Sequence, residues 1–256
     1  YGRRMFGIVS VASYNKSCTK LDYSSFFRRN ILMTEIKTIL SQLEEASHAG
    51  TLKRYDKIGE TKPYYGVPMG ALSKIAKTYI NQSDLFVPLW QTGILEAQYL
   101  AIQIVKNKPD QLVASDLKSS ISKQVSHNVL DKLASLILSK RRDSKDWEEY
   151  LLTQDQAIFQ RLGWFLRAKY FARKTATDQE IEQTLTYINE HLKTTDPLIQ
   201  WTMNQCLVEI AVTYPDYLEK GRAIGQKLGV YSEMKVAKGC TSAYAPDWIE
   251  ALLRKK

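Results

Sequence analysis

Two charged residues in this chain stand where charge is costly. Asp131 lies in Ser126-His127-Asn128-Val129-Leu130-Asp131-Lys132-Leu133-Ala134, and Arg161 in Ala157-Ile158-Phe159-Gln160-Arg161-Leu162-Gly163-Trp164-Phe165-Leu166-Arg167. Apolar residues recur at helical spacing around both: Val129, Leu133, Leu136 and Ile137 in the first stretch, Ile158, Leu162, Phe165 and Leu166 in the second. A charge among such neighbours loses hydration and needs a partner in return. The chemistry open to the pair is that of a lone carboxylate and a lone guanidinium. The structural alternative is a local ion pair at the edge of a core, and the residue types leave both readings open.

Other chemistries have weaker support. The chain has three histidines, His48, His127 and His191, and none is spaced from a cysteine or another histidine as zinc ligands are, so no metal site is expected. Phosphate-cradling glycine loops are missing, and Gly66 and Gly70 flank a helix start, where they suit a turn. No serine sits in a nucleophile elbow. No cofactor is expected.

The elements that must position Asp131 and Arg161 are helices. Glycine (12) and proline (7) are scarce, β-branched runs are few, and no segment reads as a strand. An amphipathic helix is expected over 34–49, with Ile36, Ile39, Leu40 and Leu43 on one face and Gly50 as its stop. A short helix over 51–58, a loop from Gly59 to Pro68, and helices carrying Leu72 to Tyr79 and Ile94 to Val105 follow. Asp110 is expected to open a helix running to about Lys123. The Asp131 helix should end on Lys140-Arg141-Arg142, a solvated terminus or a phosphate contact. Thr177-Asp178-Gln179-Glu180 is a capping box, and Thr195-Asp196-Pro197 starts a longer helix. The inner helices recur near Glu96, Asp131, Arg161 and Gln205, at steps of 35, 30 and 44 residues. Those steps approach the ~40–47 residues of HEAT-type helical pairs. The fold expected is therefore all-α, a HEAT-like helical repeat solenoid whose concave face is a ready binding surface. The five tryptophans, Trp90, Trp147, Trp164, Trp201 and Trp248, are expected in the core, Trp201 being the one that could reach the cleft.

Composition bounds the rest. A length of 256 residues, 44% hydrophobic and 25% charged, is ordinary for a globular chain with a substantial core. The net charge of +9 is concentrated at one end: residues 1–32 carry +5 of it. A mildly basic remainder permits contact with nucleic acid without demonstrating it. Cys18, Cys206 and Cys240 are scattered and odd in number, which suggests a reducing, cytoplasmic setting without disulfides. No apolar run is long enough to span a membrane. Residues 1–32 do not share the helical pattern that follows, whereas Met33-Thr34-Glu35-Ile36 reads as a natural start; the expectation is a non-native N-terminal extension over 1–32 and a single domain over 33–256.

Several segments, in order, carry a family resemblance: Gly66-Val67-Pro68 with Leu72-Ser73-Lys74-Ile75-Ala76, Leu89-Trp90-Gln91-Thr92-Gly93-Ile94-Leu95-Glu96-Ala97, Asp131, Gln160-Arg161-Leu162-Gly163, Asn204-Gln205-Cys206-Leu207, and the tail from Lys238 to Ile249. With these, the chain resembles the AlkD-like DNA alkylation repair proteins over most of 33–256. The resemblance implies excision of cationic N3- or N7-alkylated purines from double-stranded DNA held on the concave face, by a monomer. It implies that Asp131 is the catalytic carboxylate, stabilising the oxocarbenium and orienting water, and that Arg161 binds a backbone phosphate. The sequence departs from the family where aromatic residues are expected: His127 stands four positions before the aspartate in place of tryptophan, Gln205 replaces a second tryptophan, and Gln200 a basic residue. These three are the expected cleft-lining positions. A relative that binds unusual DNA without catalysis, or a helical scaffold for protein, would share the same fold.

Overall fold

The computed structural model describes residues 23–237 and 239–255, and every described element is helical. The chain runs through α1 (Tyr23–Glu45), α2 (Ala49–Ile58), α3 (Met69–Thr78), α4 (Phe86–Gln91), α5 (Leu95–Val105), α6 (Ala114–Ser120), α7 (His127–Leu136), α8 (Ser144–Leu152), α9 (Ala157–Phe171), α10 (Asp178–His191), α11 (Pro197–Thr213), α12 (Leu218–Leu228) and α13 (Ala245–Leu253). Successive helices pair: α4 packs on α5, α8 on α9, α10 on α11, and α12 on α13. The second helix of each pair also packs on its equivalent in the next, so that α3, α5, α7, α9, α11 and α13 form one continuous row. This is the stacked-pair architecture of a helical solenoid, and the row of inner helices lines its concave face.

The core follows the apolar spacing. Val129, Leu130, Leu133 and Ala134 are buried on α7, and Ile158, Leu162, Trp164 and Leu166 on α9. Apolar residues of residues 36–166 form one cluster and those of residues 164–249 a second, which meet at α9. Because α11 is apolar nearly all round, it is sandwiched between α9 on one side and α12 and α13 on the other.

Several boundaries differ from the sequence expectation. The first helix begins at Tyr23, not near residue 34; no proline or glycine interrupts residues 23–45, and Leu32 packs against the core. Residues 1–22 of the expected extension, with Cys18, lie outside the described residues, as does Lys238. Gly50 does not stop α1. It sits in the first turn of α2, where its N–H donates to Nδ1 of the N-cap His48. The helix expected from Asp110 to Lys123 is a 3₁₀ turn at Pro109–Gln111 followed by the short α6, because Leu112 and Val113 are extended. The capping box holds in both directions: Thr177 Oγ1 accepts the Glu180 N–H, and Glu180 Oε2 accepts the Thr177 N–H. No helix of the described residues is long and apolar enough to cross a membrane.

Candidate nucleic-acid interface

Asp131 and Arg161 come from neighbouring inner helices, 30 residues apart, and their side chains meet. Arg161 Nε donates to Asp131 Oδ1 at 2.8 Å and Arg161 Nη2 to Asp131 Oδ2 at 2.7 Å, a two-pronged ion pair. The third contact, Nη1 to the Leu198 carbonyl at 2.9 Å, ties the guanidinium to the first turn of α11. The Arg161 side chain is 7% exposed and that of Asp131 29%, so the carboxylate is the member that meets solvent. Arg161, expected to face a phosphate, instead turns three of its N–H groups onto the protein.

Two clefts meet at this pair. One, of about 470 Å³, is bounded by Arg54, Ile58, Glu60, Met69, Tyr99 and Lys132; the other, of about 380 Å³, by His127, Arg161, Pro197, Trp201 and Tyr231. Asn128 and Asp131 line both.

The N-terminus of α7 is held from a distance. Ser126, buried, is its N-cap and accepts the Asn128 N–H; its own hydroxyl donates to Glu60 Oε1 at 2.6 Å, and Asn128 Nδ2 donates to Glu60 Oε2 at 2.8 Å. Burial pushes the Glu60 carboxyl up, but the hydrogen bonds from Ser126, Thr61 and Asn128 outweigh it and leave Glu60 below its ordinary range. Tyr99, beside these acids, is pushed up, chiefly by burial and then by the charge on Glu60.

A second carboxylate orders the loop before α3. Glu96 is fully buried on α5 and accepts from Tyr65 N at 2.9 Å, Gly66 N at 2.7 Å and Val67 N at 3.0 Å. Gly66 has φ +81°, and a Cβ there would meet Leu52 Cγ at 2.5 Å, so the turn requires glycine. The Gly66-Val67-Pro68 and Glu96 segments therefore act together as a structural lock.

The expected lining residues are placed unequally. His127 is exposed and lines the second cleft. Gln200 does not reach it: Nε2 donates to the Leu192 carbonyl at 3.0 Å, closing the end of α10. Gln205 is half-buried on α11, outside the residues bounding either cleft. Trp201 occupies the wall instead. Its ring meets Tyr231 edge-on with centroids 5.7 Å apart and Trp248 at 6.1 Å, whereas Trp90, Trp147 and Trp164 are buried in the core. Tyr231 takes φ +67°, a strained conformation for a bulky residue, and burial pushes its hydroxyl up while Arg161 draws it down. Sequence spacing carries no signal for Tyr231, which lies in a turn; the adjacency of Trp201 to Gln200 was the only pointer to the aromatic wall.

The basic run is likewise divided. Arg141 forks onto Asp143 and donates to the Pro109 and Leu112 carbonyls, which makes it a loop brace rather than a phosphate contact. Arg142 is exposed and pairs with Asp110.

The profile of a family described as DNA alkylation repair enzyme matches residues 36–232. Among curated proteins, none matches this chain. A solved structure described as "a new family of proteins related to the HEAT-like repeat DNA glycosylases with affinity for branched DNA structures" shares the fold, with a TM-score of 0.72 and 22% identity over 86% of this chain and 94% of that one. With the stacked helical pairs and the match over most of its length, the chain belongs to the DNA alkylation repair enzyme family.

Proposed function

We propose that this protein acts on double-stranded DNA seated along the inner-helix face, as a monomer in a cytoplasmic setting, and hydrolyses the N-glycosidic bond of N3- or N7-alkylated purines. The observation that carries this reading is the Asp131 carboxylate, oriented by the Arg161 fork and facing solvent where two clefts join. An alkylated purine is cationic, so its C1′–N bond breaks with the electron pair leaving on a purine that becomes neutral. The deoxyribose then bears oxocarbenium character. A carboxylate on its open face stabilises that charge and accepts a hydrogen bond from the water that adds to C1′; as the C1′–O bond forms, the water's spare proton passes along that bond and on to solvent, leaving the C1′ hydroxyl. Arg161 takes no proton in this scheme. It is a positioning residue whose two N–H bonds fix both carboxylate oxygens. Trp201 and Tyr231 supply an aromatic wall for the sugar or base in the cleft that His127 also lines.

A second reading has its own support. His127 and Gln205 put no indole at the two positions where tryptophan was expected, and the structurally similar protein is described by its affinity for branched DNA. Under it, the same face binds branched or bent DNA without breaking a bond.

Release of 7-methylguanine or 3-methyladenine from methylated DNA, with protein in excess, separates the two. Release by the wild type that is lost in Asp131→Asn supports catalysis. No release by the wild type overturns it and leaves binding, which salt-dependent affinity for intact, abasic and branched DNA then measures.

A further inference from the structure

Three of the five Arg161 N–H groups are spent on Asp131 and Leu198 and its side chain is 7% exposed, so other cations are better placed to meet a phosphate on this face. Four charged groups bound the larger cleft: Asp131 of the inner pair, and Arg54, Glu60 and Lys132. Both carboxylates are already matched. Asp131 receives two N–H bonds from Arg161, and Glu60 receives the Ser126 hydroxyl, the Asn128 amide and the Thr61 N–H. The two cations have no carboxylate partner: among the described residues neither Arg54 nor Lys132 forms an ion pair. Arg54 lies over the Tyr55 ring at 5.4 Å and is hydrogen-bonded to the Tyr55 side chain, a neutral group, and both cations are exposed. The same cleft presents Ile58, 59% exposed, and Met69, 38% exposed. Positive charge without a carboxylate partner, in one cleft with exposed apolar surface, matches a phosphodiester strand, which offers both phosphates and deoxyriboses.

We infer that Arg54 and Lys132, not Arg161, contact the DNA backbone, one phosphate each, in the cleft that Asp131 shares. The inference rests on the DNA-binding reading above and adds to it the residues that make the electrostatic contacts. Arg54 comes from α2 and Lys132 from α7, so the strand bridges two rungs of the solenoid. Asn128 and Asp131 mark where that strand would pass from one cleft to the other.

The test is the salt dependence of binding to a fluorescein-labelled 20-base-pair duplex and to a labelled three-way junction, using the full chain. Each contact contributes about 0.9 to the slope of log affinity against log salt. Arg54→Gln and Lys132→Gln are each expected to lower the slope by about 0.9, and the double variant by about 1.8. Lys227→Gln, at a lysine that bonds Asn189 outside both clefts, is expected to leave it unchanged. Circular dichroism melts establish that the variants are folded. Retained binding with an unchanged slope in Arg54→Gln and Lys132→Gln overturns the inference while the DNA-binding reading stands. Absence of binding by the wild type to either DNA overturns that reading, and this inference with it.

Discussion

Replacing the two members of the central ion pair, singly and together, measures whether they act as one unit. Asp131→Asn keeps the shape but offers one acceptor where there were two, and sets an amide N–H against a guanidinium N–H. Removing one partner of a fully buried pair costs about 3–5 kcal/mol, because the other charge is left uncompensated. Asp131 is 29% exposed at its side chain and water can reach the site, so about 2 kcal/mol is expected for this change. Arg161→Gln frees a carboxylate that can hydrate, but it also strips the Leu198 carbonyl of a donor and leaves space under the cleft, for about 3 kcal/mol. The two changes delete the same interaction, so the double variant should be less destabilised than the sum by about 1–3 kcal/mol. For a chain of this size 1 kcal/mol moves Tm by about 2–4 °C, which puts Asp131→Asn about 4–8 °C below the wild type. Urea melts of the four proteins give the coupling. Additivity within about 0.5 kcal/mol would refute the pairing on which the site is built. The same proteins, held where all are folded, separate structure from chemistry. Loss of a charge that stabilises a transition state costs about 10²–10³ in rate. A coupling present in the melts with base release undiminished in Asp131→Asn would leave the pair a purely structural bridge.

Three further outcomes follow from the geometry. Trp201→Ala should weaken binding of single-stranded or abasic DNA by about 1–3 kcal/mol, the worth of one base on an aromatic platform, and an unchanged Kd in a fluorescence titration removes Trp201 from the interface. Glu60 lies below its ordinary value of 4.5, so its contribution to stability is present above that value and lost as pH falls through its folded-state value; Glu60→Gln should flatten the acid limb of stability below about pH 4.5, and identical acid limbs would remove its hold on α7. Gly163→Ala would place a Cβ 2.7 Å from Leu152 Cγ and 3.1 Å from the Leu152 backbone nitrogen, at the α8–α9 contact. The side chain can turn aside but the backbone cannot, so a loss of about 1–3 kcal/mol is expected, and an unshifted urea midpoint contradicts it.

The sequence by itself determined the all-helical class and most elements in order, but not the break at Leu112–Val113 or the end of the Asp131 helix, which stops at Leu136 and not at Lys140-Arg141-Arg142. Helix periodicity, the Thr177–Glu180 capping box and Pro197 are local signals, written within a few residues, and the structure follows them. It also singled out Asp131 and Arg161, since a charge inside an apolar stripe is visible in one dimension. Where each side chain's hydrogen bonds would go was not visible, because that depends on neighbours brought in by other rungs. Only packing revealed that Arg161 spends its donors on Asp131 and Leu198, that Gln200 turns toward the end of α10, and that Glu60 reaches 66 residues along the chain to Ser126. The aromatic wall depended on it still more. Trp201 on α11 meets Tyr231, a turn residue with a left-handed backbone 30 residues along the chain, a contact that no spacing rule encodes. Periodicity is a property of one helix, whereas a cleft belongs to the stacking of several, and charge complementarity is settled only when those helices meet.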